Sequence, residues 1–432
     1  MNNNRFLAKT AFRLMCMALL LVASCKKDPE MAVSSEEVII DAVPTETVTF
    51  GISANIEWSI EVIQTEFWLK VSPLNGRGNA TITLEATEND EFSERTALII
   101  ILGEDMQKDT VKVIQSPCLD IALKIEDEIF RQYCLEKFDN SPMDGRISLK
   151  EALTAIEINV TGLDIYTLAG IEYFTGIRKL NCSANYIEEM DISRNINLRV
   201  IDCSANPINK IEVDELPRLT DLHLHSTNIV NLDVSKNLLL ELLTTSSSPI
   251  TDINLTENKE LTVLLCNDNQ LEKLDLSKNT KLLMLYCANN RLTKLNLDMN
   301  TDLVNLWCNN QTDGSRKLLT ELDISNNKAL QTFSCAQNGI TKLNLTNNPE
   351  LLQLRCEENQ LTALNISENI KLEILKCNNN NLTDDIDVSN NKLLKQINLQ
   401  KNPDLSTIYV WQGFDKDNSY YEKDKDAAYV VK

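Results

Sequence analysis

The sequence predicts a mainly β protein: a small β-sandwich, then a helical cap, then a repeat solenoid whose turns each give a short strand to one parallel sheet. Three observations predict it. Cysteines recur 21 residues apart at Cys182 and Cys203, at Cys266, Cys287 and Cys308, and at Cys335, Cys356 and Cys377. Around them runs L-x-x-L-x-C-x-x-N-x-L, as in Leu261, Leu264, Cys266, Asn269 and Leu271, a period at which each turn packs only on its neighbours. Residues 43–117 are short runs rich in β-branched and aromatic side chains between turn formers. Residues 118–175 instead carry apolar side chains at helical spacing.

Residues 1–24 read as an export signal. Arg5, Lys9 and Arg13 open it, Leu14 to Ala23 is apolar, and Ser24 precedes Cys25. The apolar run is too short to cross a bilayer as a helix, so cleavage is expected. Leu21 to Cys25, L-V-A-S-C, resembles the lipobox of bacterial lipoproteins. That resemblance implies lipidation of Cys25 and an outer-membrane lipoprotein at the cell surface. The periplasmic face is the alternative, because Lys26-Lys27-Asp28 is a poor match to an outer-leaflet signal. Residues 25–42, charged and turn-prone, are expected to be a tether.

The chain holds 42 basic and 63 acidic residues, a net charge of −21. Such a surface repels nucleic acid and anionic lipid, so no nucleic-acid partner is expected. Twelve cysteines in an exported chain suggest disulfides. The spacing argues otherwise: the cysteine shares its slot with Leu224 and Thr245 in other turns, as a small hydrophobe would. Free, buried thiols are expected.

In residues 43–117, strands are expected at Thr47–Phe50, Glu57–Val62, Phe67–Val71, Ala80–Ala86, Thr96–Leu102 and Thr110–Ile114. Trp58 and Trp68 are sized to anchor a core between two sheets, and Gly76 and Gly78 supply a tight turn. The segment resembles the BACON domain of Bacteroidetes, an immunoglobulin-like sandwich. The match runs through Trp58-Ser59-Ile60, Trp68 to Pro73, Gly76, Gly78-Asn79, Asn89, Arg95-Thr96-Ala97 and Val113-Ile114-Gln115. The resemblance implies an association with glycan-active or mucin-facing proteins, or a spacer role.

In 118–175, one helix is expected over Asp120–Phe138, presenting Leu123, Ile129, Tyr133 and Phe138. A second should start near Ser148 with Leu149, Leu153 and Ile156 on one side. A solenoid cannot leave its end open, which makes this segment a cap. Between the helices, Asn140-Ser141-Pro142-Met143-Asp144-Gly145-Arg146-Ile147 and Glu151 resemble a degenerate EF-hand loop. Asn140, Asp144 and Glu151 stand at its first, fifth and twelfth places. Pro142 takes the third place, where calcium needs an oxygen donor. A relic cap is the expectation and a calcium site the alternative.

The repeats occupy 176–411, with a six-residue insertion at Thr312–Lys317, and residues 412–432 are expected to cap the far end. Leucines and the cysteine point inward. The asparagine after each strand (Asn185, Asn206, Asn269, Asn290, Asn338, Asn359, Asn380) satisfies backbone groups that would otherwise be buried unpaired. The recurring Asp191, Asp233, Asp275 and Asp323 belong to the return motif and read as structural. The pattern resembles the cysteine-containing leucine-rich repeats of internalin-J-like surface proteins, which implies the fold and leaves the ligand open.

Function is expected in the outward columns of the sheet. Leu242, Val263, Leu265, Met284, Tyr286 and Trp307 cluster there although nothing in the repeat requires apolar side chains. A contiguous patch with aromatic members suits a binding partner; burial under the cap or insertion, or neutral drift, is the competing account. A zinc reading attaches to His223 and His225 with Asp202, but side chains on one flat strand diverge, so solvated polar residues are the default. No other cofactor is expected. With no glycine-rich phosphate loop and no nucleophile aimed at a histidine, an enzyme is not expected. The leading expectation is a surface lipoprotein that binds a host or bacterial surface protein in adhesion. The alternative is a carbohydrate-binding accessory of a glycan-utilisation system.

Overall fold

The computed structural model of the protein describes residues 28–432 except Phe92, Asp120, Ser141, Pro142 and Asp384. The expected leader, Cys25 and the third loop position at Pro142 lie outside the described residues. The chain divides into two compact units, up to Ile121 and from Ala122 onward.

The first unit is a two-sheet sandwich. Its strands are β1 (Met31–Val33), β2 (Glu37–Ile40), β3 (Val48–Ala54), β4 (Glu57–Ile63), β5 (Leu69–Ser72), β6 (Asn75–Arg77), β7 (Ala80–Ala86), β8 (Arg95–Gly103) and β9 (Lys108–Gln115). One sheet has the order β1-β3-β7-β5, the other β2-β9-β8-β4-β6. Alternation puts Phe50, Ile52, Ile82, Leu84, Ile99, Ile101, Val111 and Val113 in one core with Trp58 and Trp68. Residues 31–40, read as tether from sequence, are two strands of this domain: β1 pairs with β3, and β2 lies parallel to β9. Val38 and Ile40 are buried while Glu37 and Ile39 face out, an alternation too short and too flanked by charge to stand out in the sequence.

The residues that carry the BACON resemblance do structural work here. Gly76 passes so close to Trp58 that an added Cβ would lie 2.4 Å from its ring. The Trp58 indole N–H donates to the Gly78 carbonyl at 2.8 Å. Asn89 donates to the carbonyls of Ser93 and Ser116, and Gln115 to those of Asp41, Ala42 and Thr87. Arg95 donates to Gln115 Oε1 and lies over the Trp68 ring. Polar side chains buried this way pair with loop backbone that would otherwise be unsatisfied.

The second unit opens with helix α1 (Glu128–Phe138), capped by Asp127, whose carboxylate accepts the N–H groups of Ile129 and Phe130. This helix starts eight residues later than the sequence suggested. Phe130 and Cys134 form its buried seam, and Ile129 is exposed. Phe130, Phe138 and Phe174 pack ring to ring. The second expected helix is a single turn, α2 (Leu149–Ala152), held by a Ser148–Glu151 capping box. Leu153 and Ile156 are exposed, because the chain leaves the helix for a strand, Glu157–Asn159, that already belongs to the solenoid. The long sheet thus begins inside the segment read as cap.

That sheet has thirteen strands, all parallel, from Glu157–Asn159 to Tyr421–Glu422. In a three-residue strand such as Val263–Leu265 the middle side chain points in and the flanking two point out. Leu180, Ile201, Leu222, Leu243, Leu264, Leu285, Leu306, Phe333, Leu354 and Leu375 make the inward row, all fully buried. The eight ladder cysteines are also fully buried and free. Residues 412–432 extend the solenoid: Tyr421–Glu422 pairs with Gln396–Asn398, and Ala428–Val431 with Thr407–Val410. Trp411, Phe414, Tyr421 and Tyr429 cluster there.

Most turns are locked by two asparagines; Thr227, Ser248 and Gln311 replace the first of them in three turns. Asn269 donates to the carbonyls of Thr245 in the previous turn and Cys266 in its own, while its Oδ1 accepts the Ile250 N–H. A second ladder, absent from the sequence reading, lies on the return side. Asn237, Asn258, Asn279, Asn300, Asn327, Asn348 and Asn369 are buried, and each donates to two carbonyls of the preceding turn. Asp191, Asp233, Asp275 and Asp323 each accept the N–H of the serine two residues on. Those bonds hold their carboxyls below the usual aspartate range.

Candidate concave-face binding site

The register of the long sheet brings the six apolar positions into two adjoining rows. Leu242 pairs with Val263 and Val263 with Met284. Beside them Leu265 pairs with Tyr286 and Tyr286 with Trp307. All six lie on the outward side of the inward leucine row. Five are half-buried by one another, and Trp307 keeps 38% of its surface exposed. The Tyr286 and Trp307 rings stack at 4.7 Å between centroids and 18° between planes. Each ring covers one face of the other.

The insertion at Thr312–Lys317 folds as a small hairpin closed by a Thr312–Lys317 bridge. Its Asp313 accepts two backbone N–H groups and the Arg316 guanidinium, which together pull its carboxyl down to about 2. The hairpin follows Gln311, which stands in the asparagine position of its turn. Thr312 N–H bonds the Asn290 carbonyl, and Lys317 reaches the Glu358 carbonyl. With the hairpin in place Trp307 stays exposed and Tyr286 half-buried.

The metal readings fare differently. Asp202 Oδ1 accepts the Ser204 N–H, and His223 Nδ1 lies 3.4 Å from the Thr244 hydroxyl. In the loop, both Glu151 oxygens accept hydrogen bonds, one from the Asn140 N–H and the other from the N–H and hydroxyl of Ser148. Asp144 Oδ1 accepts the Arg146 N–H. These carboxylates are thus engaged in capping their own loop and helix turn. Among the described residues no group of three or more His, Cys, Asp or Glu side chains could hold a metal ion.

Two further features of this face were not singled out from sequence. Beyond each cysteine a third outward column runs through Asn267, Ala288, Asn309, Ala336 and Glu357. Asn267 and Asn309 each accept a backbone N–H of the next turn, tying that edge down. Glu357 is partly buried there, which raises its carboxyl above the usual range, and its Oε2 has no partner. The second feature is charge. Asp202 and Asp221 precede the apolar rows and Arg355 and Lys376 follow them. The signal for both was the register itself, which the repeat period supplies.

Residues 30–117 match the family described as the viral BACON domain. No curated protein matches the chain. Among solved structures, an internalin (inlF) from Listeria monocytogenes is 19% identical with a TM-score of 0.53, covering 70% of this chain and 96% of that one. It shows the leucine-rich-repeat fold. The functional domain of InlJ from Listeria monocytogenes, described as including a cysteine ladder, is 27% identical over 67% of this chain and 84% of its own, with a TM-score of 0.41. A leucine-rich-repeat protein of Leptospira interrogans is 20% identical over 61% and 79%, with a TM-score of 0.48. The chain thus has a segment that matches the BACON model and a leucine-rich-repeat fold similar to that of the inlF internalin. Among the described residues no helix is long and apolar enough to cross a membrane.

Proposed function

We propose that this chain is a non-enzymatic surface lipoprotein that holds a protein partner on the concave face of its repeats. Leu242, Val263, Leu265, Met284, Tyr286 and Trp307 form the contact, and the partner is a host or bacterial surface protein. The observation that carries the reading is the stacked Tyr286–Trp307 pair, with Trp307 exposed to solvent inside an apolar field. Large aromatic side chains in such a setting are the residue types that dominate protein interfaces. A sugar platform needs ring faces free to stack, and here each ring spends one face on the other. Cys25 is the proposed lipid anchor, with outer-membrane placement at the cell surface following from the lipobox resemblance.

The test is binding of the soluble chain 28–432 to arrays of matrix and surface proteins and of glycans, beside the W307A/Y286A variant. Protein binding that the double variant loses supports the reading. Glycan binding that survives it moves function to the sandwich and overturns it.

A further inference from the structure

We infer that the concave face takes one extended stretch of its partner, about twelve residues long, basic at one end, apolar in the middle and acidic at the other. This rests on the protein-binding reading above and adds the chemistry of what is bound.

The argument starts from where the protein places its charge. Outside the outward columns, neighbouring turns pair opposite charges: Lys273 with Asp252, Lys281 with Glu260, Lys371 with Glu350. On the concave face the habit holds at Lys179 and Glu157 and breaks at two later places. Arg355 and Lys376 stand directly opposite each other in the parallel register, where like charges destabilise a sheet. Asp202 and Asp221 are diagonal neighbours on adjoining strands. None of these four side chains has an ion-pair partner among the described residues. Lys179, in the turn before Asp202, is neutralised by Glu157 at 3.1 Å. Glu357, beside the two cations, makes no ion pair with either: burial disfavours its charged form, and the attraction of Arg355 and Lys376 offsets that only in part.

The order along the sheet is therefore acidic, apolar, then basic. Asn305, Thr332 and Ser334 separate the aromatic pair from the cations. Each end of the apolar field thus sets like charges side by side, with no ion pair to either partner among the described residues. This order complements a ligand that carries the opposite charges in the opposite places.

Dimensions select the form of the ligand. Eight strand spacings separate Asp202 from Lys376, about 38 Å at ~4.8 Å per strand, which about twelve extended residues span at ~3.3 Å each. Across the sheet, each strand offers two outward side chains ~7 Å apart, bordered by a third column in which Ala288 and Ala336 are short and buried. A band that long and that narrow seats a single chain lying along the solenoid.

The test uses the chain 28–432, which holds both compact units, and three pools of twelve-residue peptides with the central six positions randomised among apolar and aromatic residues. One pool has two lysines at one end and two glutamates at the other, in both chain directions. The second has lysines at both ends and the third glutamates at both. The bipolar pool is expected to bind at least ten-fold more tightly than either uniform pool at low salt. In R355E/K376E, with an unchanged circular-dichroism spectrum, preference should pass to the lysine-ended pool. Equal binding of all three pools, lost in W307A/Y286A, would overturn the charge order and leave the protein-binding reading standing. No peptide binding, beside array binding of a folded protein lost in W307A/Y286A, would overturn the extended occupant alone. Binding of a sulfated or sialylated glycan that R355E/K376E abolishes would assign the cations to an anionic sugar and overturn the inference. Failure of every pool together with array binding indifferent to W307A/Y286A would overturn both.

Discussion

The side-chain amide of Asn279 donates to the backbone carbonyl of Asn258 at 2.8 Å and to that of Leu255 at 3.0 Å. Asn258 bonds the turn before it in the same way, so one buried column staples successive turns. Only the amide nitrogen bonds; Asn279 Oδ1 has no partner. Replacing Asn279 with alanine removes two hydrogen bonds from buried carbonyls that each keep one backbone donor, the Asn258 N–H on Leu255 and the Leu261 N–H on Asn258, and should cost about 1–3 kcal/mol. Asn279→Asp should cost more, because it sets a carboxylate against the same carbonyl oxygens. Urea midpoints of the two variants check both the size and the order.

Gly76→Ala would put a methyl carbon 2.4 Å from the Trp58 ring. Trp58 is buried and held by its bond to Gly78, so the ring cannot simply swing away. A loss of about 1–3 kcal/mol is expected, the usual range for overpacking. Amide hydrogen exchange in β4 and β6 should rise while exchange in Val263–Leu265 stays unchanged.

The repeat period made most of the solenoid legible in advance. A period of 21 residues fixes the register, so the sequence alone placed Leu242, Val263 and Met284 in one row and Leu265, Tyr286 and Trp307 in another. What escaped it has local causes. The buried seam of α1 was missed because Leu123 and Ile129 keep helical spacing with Tyr133, while Phe130 and Cys134 are the residues that bury. The strand Glu157–Asn159 was hidden behind Ser148, whose capping box signals a helix that lasts one turn. Asn258 and Asn279 sit in polar return segments, where an asparagine that turns inward cannot be told by composition from one that stays in solvent.

Acid should weaken the fold in a defined window. Asp191, Asp233, Asp275 and Asp323 are held below the ordinary 3.8 by backbone N–H groups, and Asp313 is held near 2. A depressed folded pKa gives stability that is present above the unfolded value and is lost as pH falls through the folded one. Glu357 acts with the opposite sign: its raised pKa favours the folded state when protonated, a contribution lost as pH rises. The lowered carboxyls outnumber it, so thermal stability should fall steeply between about pH 4 and pH 2. Thermal melts at stepped pH check this, and a flat profile would speak against those bonds.

Burial pushes the thiols of Cys182 and Cys287 up to about 12 and raises those of Cys203, Cys266, Cys308 and Cys335 above their usual range, while a hydrogen bond with Cys377, and then burial, raises that of Cys356. Thiolate is the reactive form, so these groups should resist a thiol reagent in the native protein. The chain 28–432 has ten cysteines, of which only Cys118 is not fully buried. At most one should react quickly before unfolding, and ten after it without reductant. Fewer than ten after unfolding would reveal disulfides.

The measurement that bears most directly on the whole account is the affinity of Trp307→Ala for a protein captured on the array, beside Met299→Ala as an exposed control away from the two apolar rows. A central aromatic anchor predicts a loss of about 2 kcal/mol or more, roughly 30-fold, with the control unchanged. Equal affinities for Trp307→Ala, Met299→Ala and the unaltered chain would contradict a binding site on the concave face.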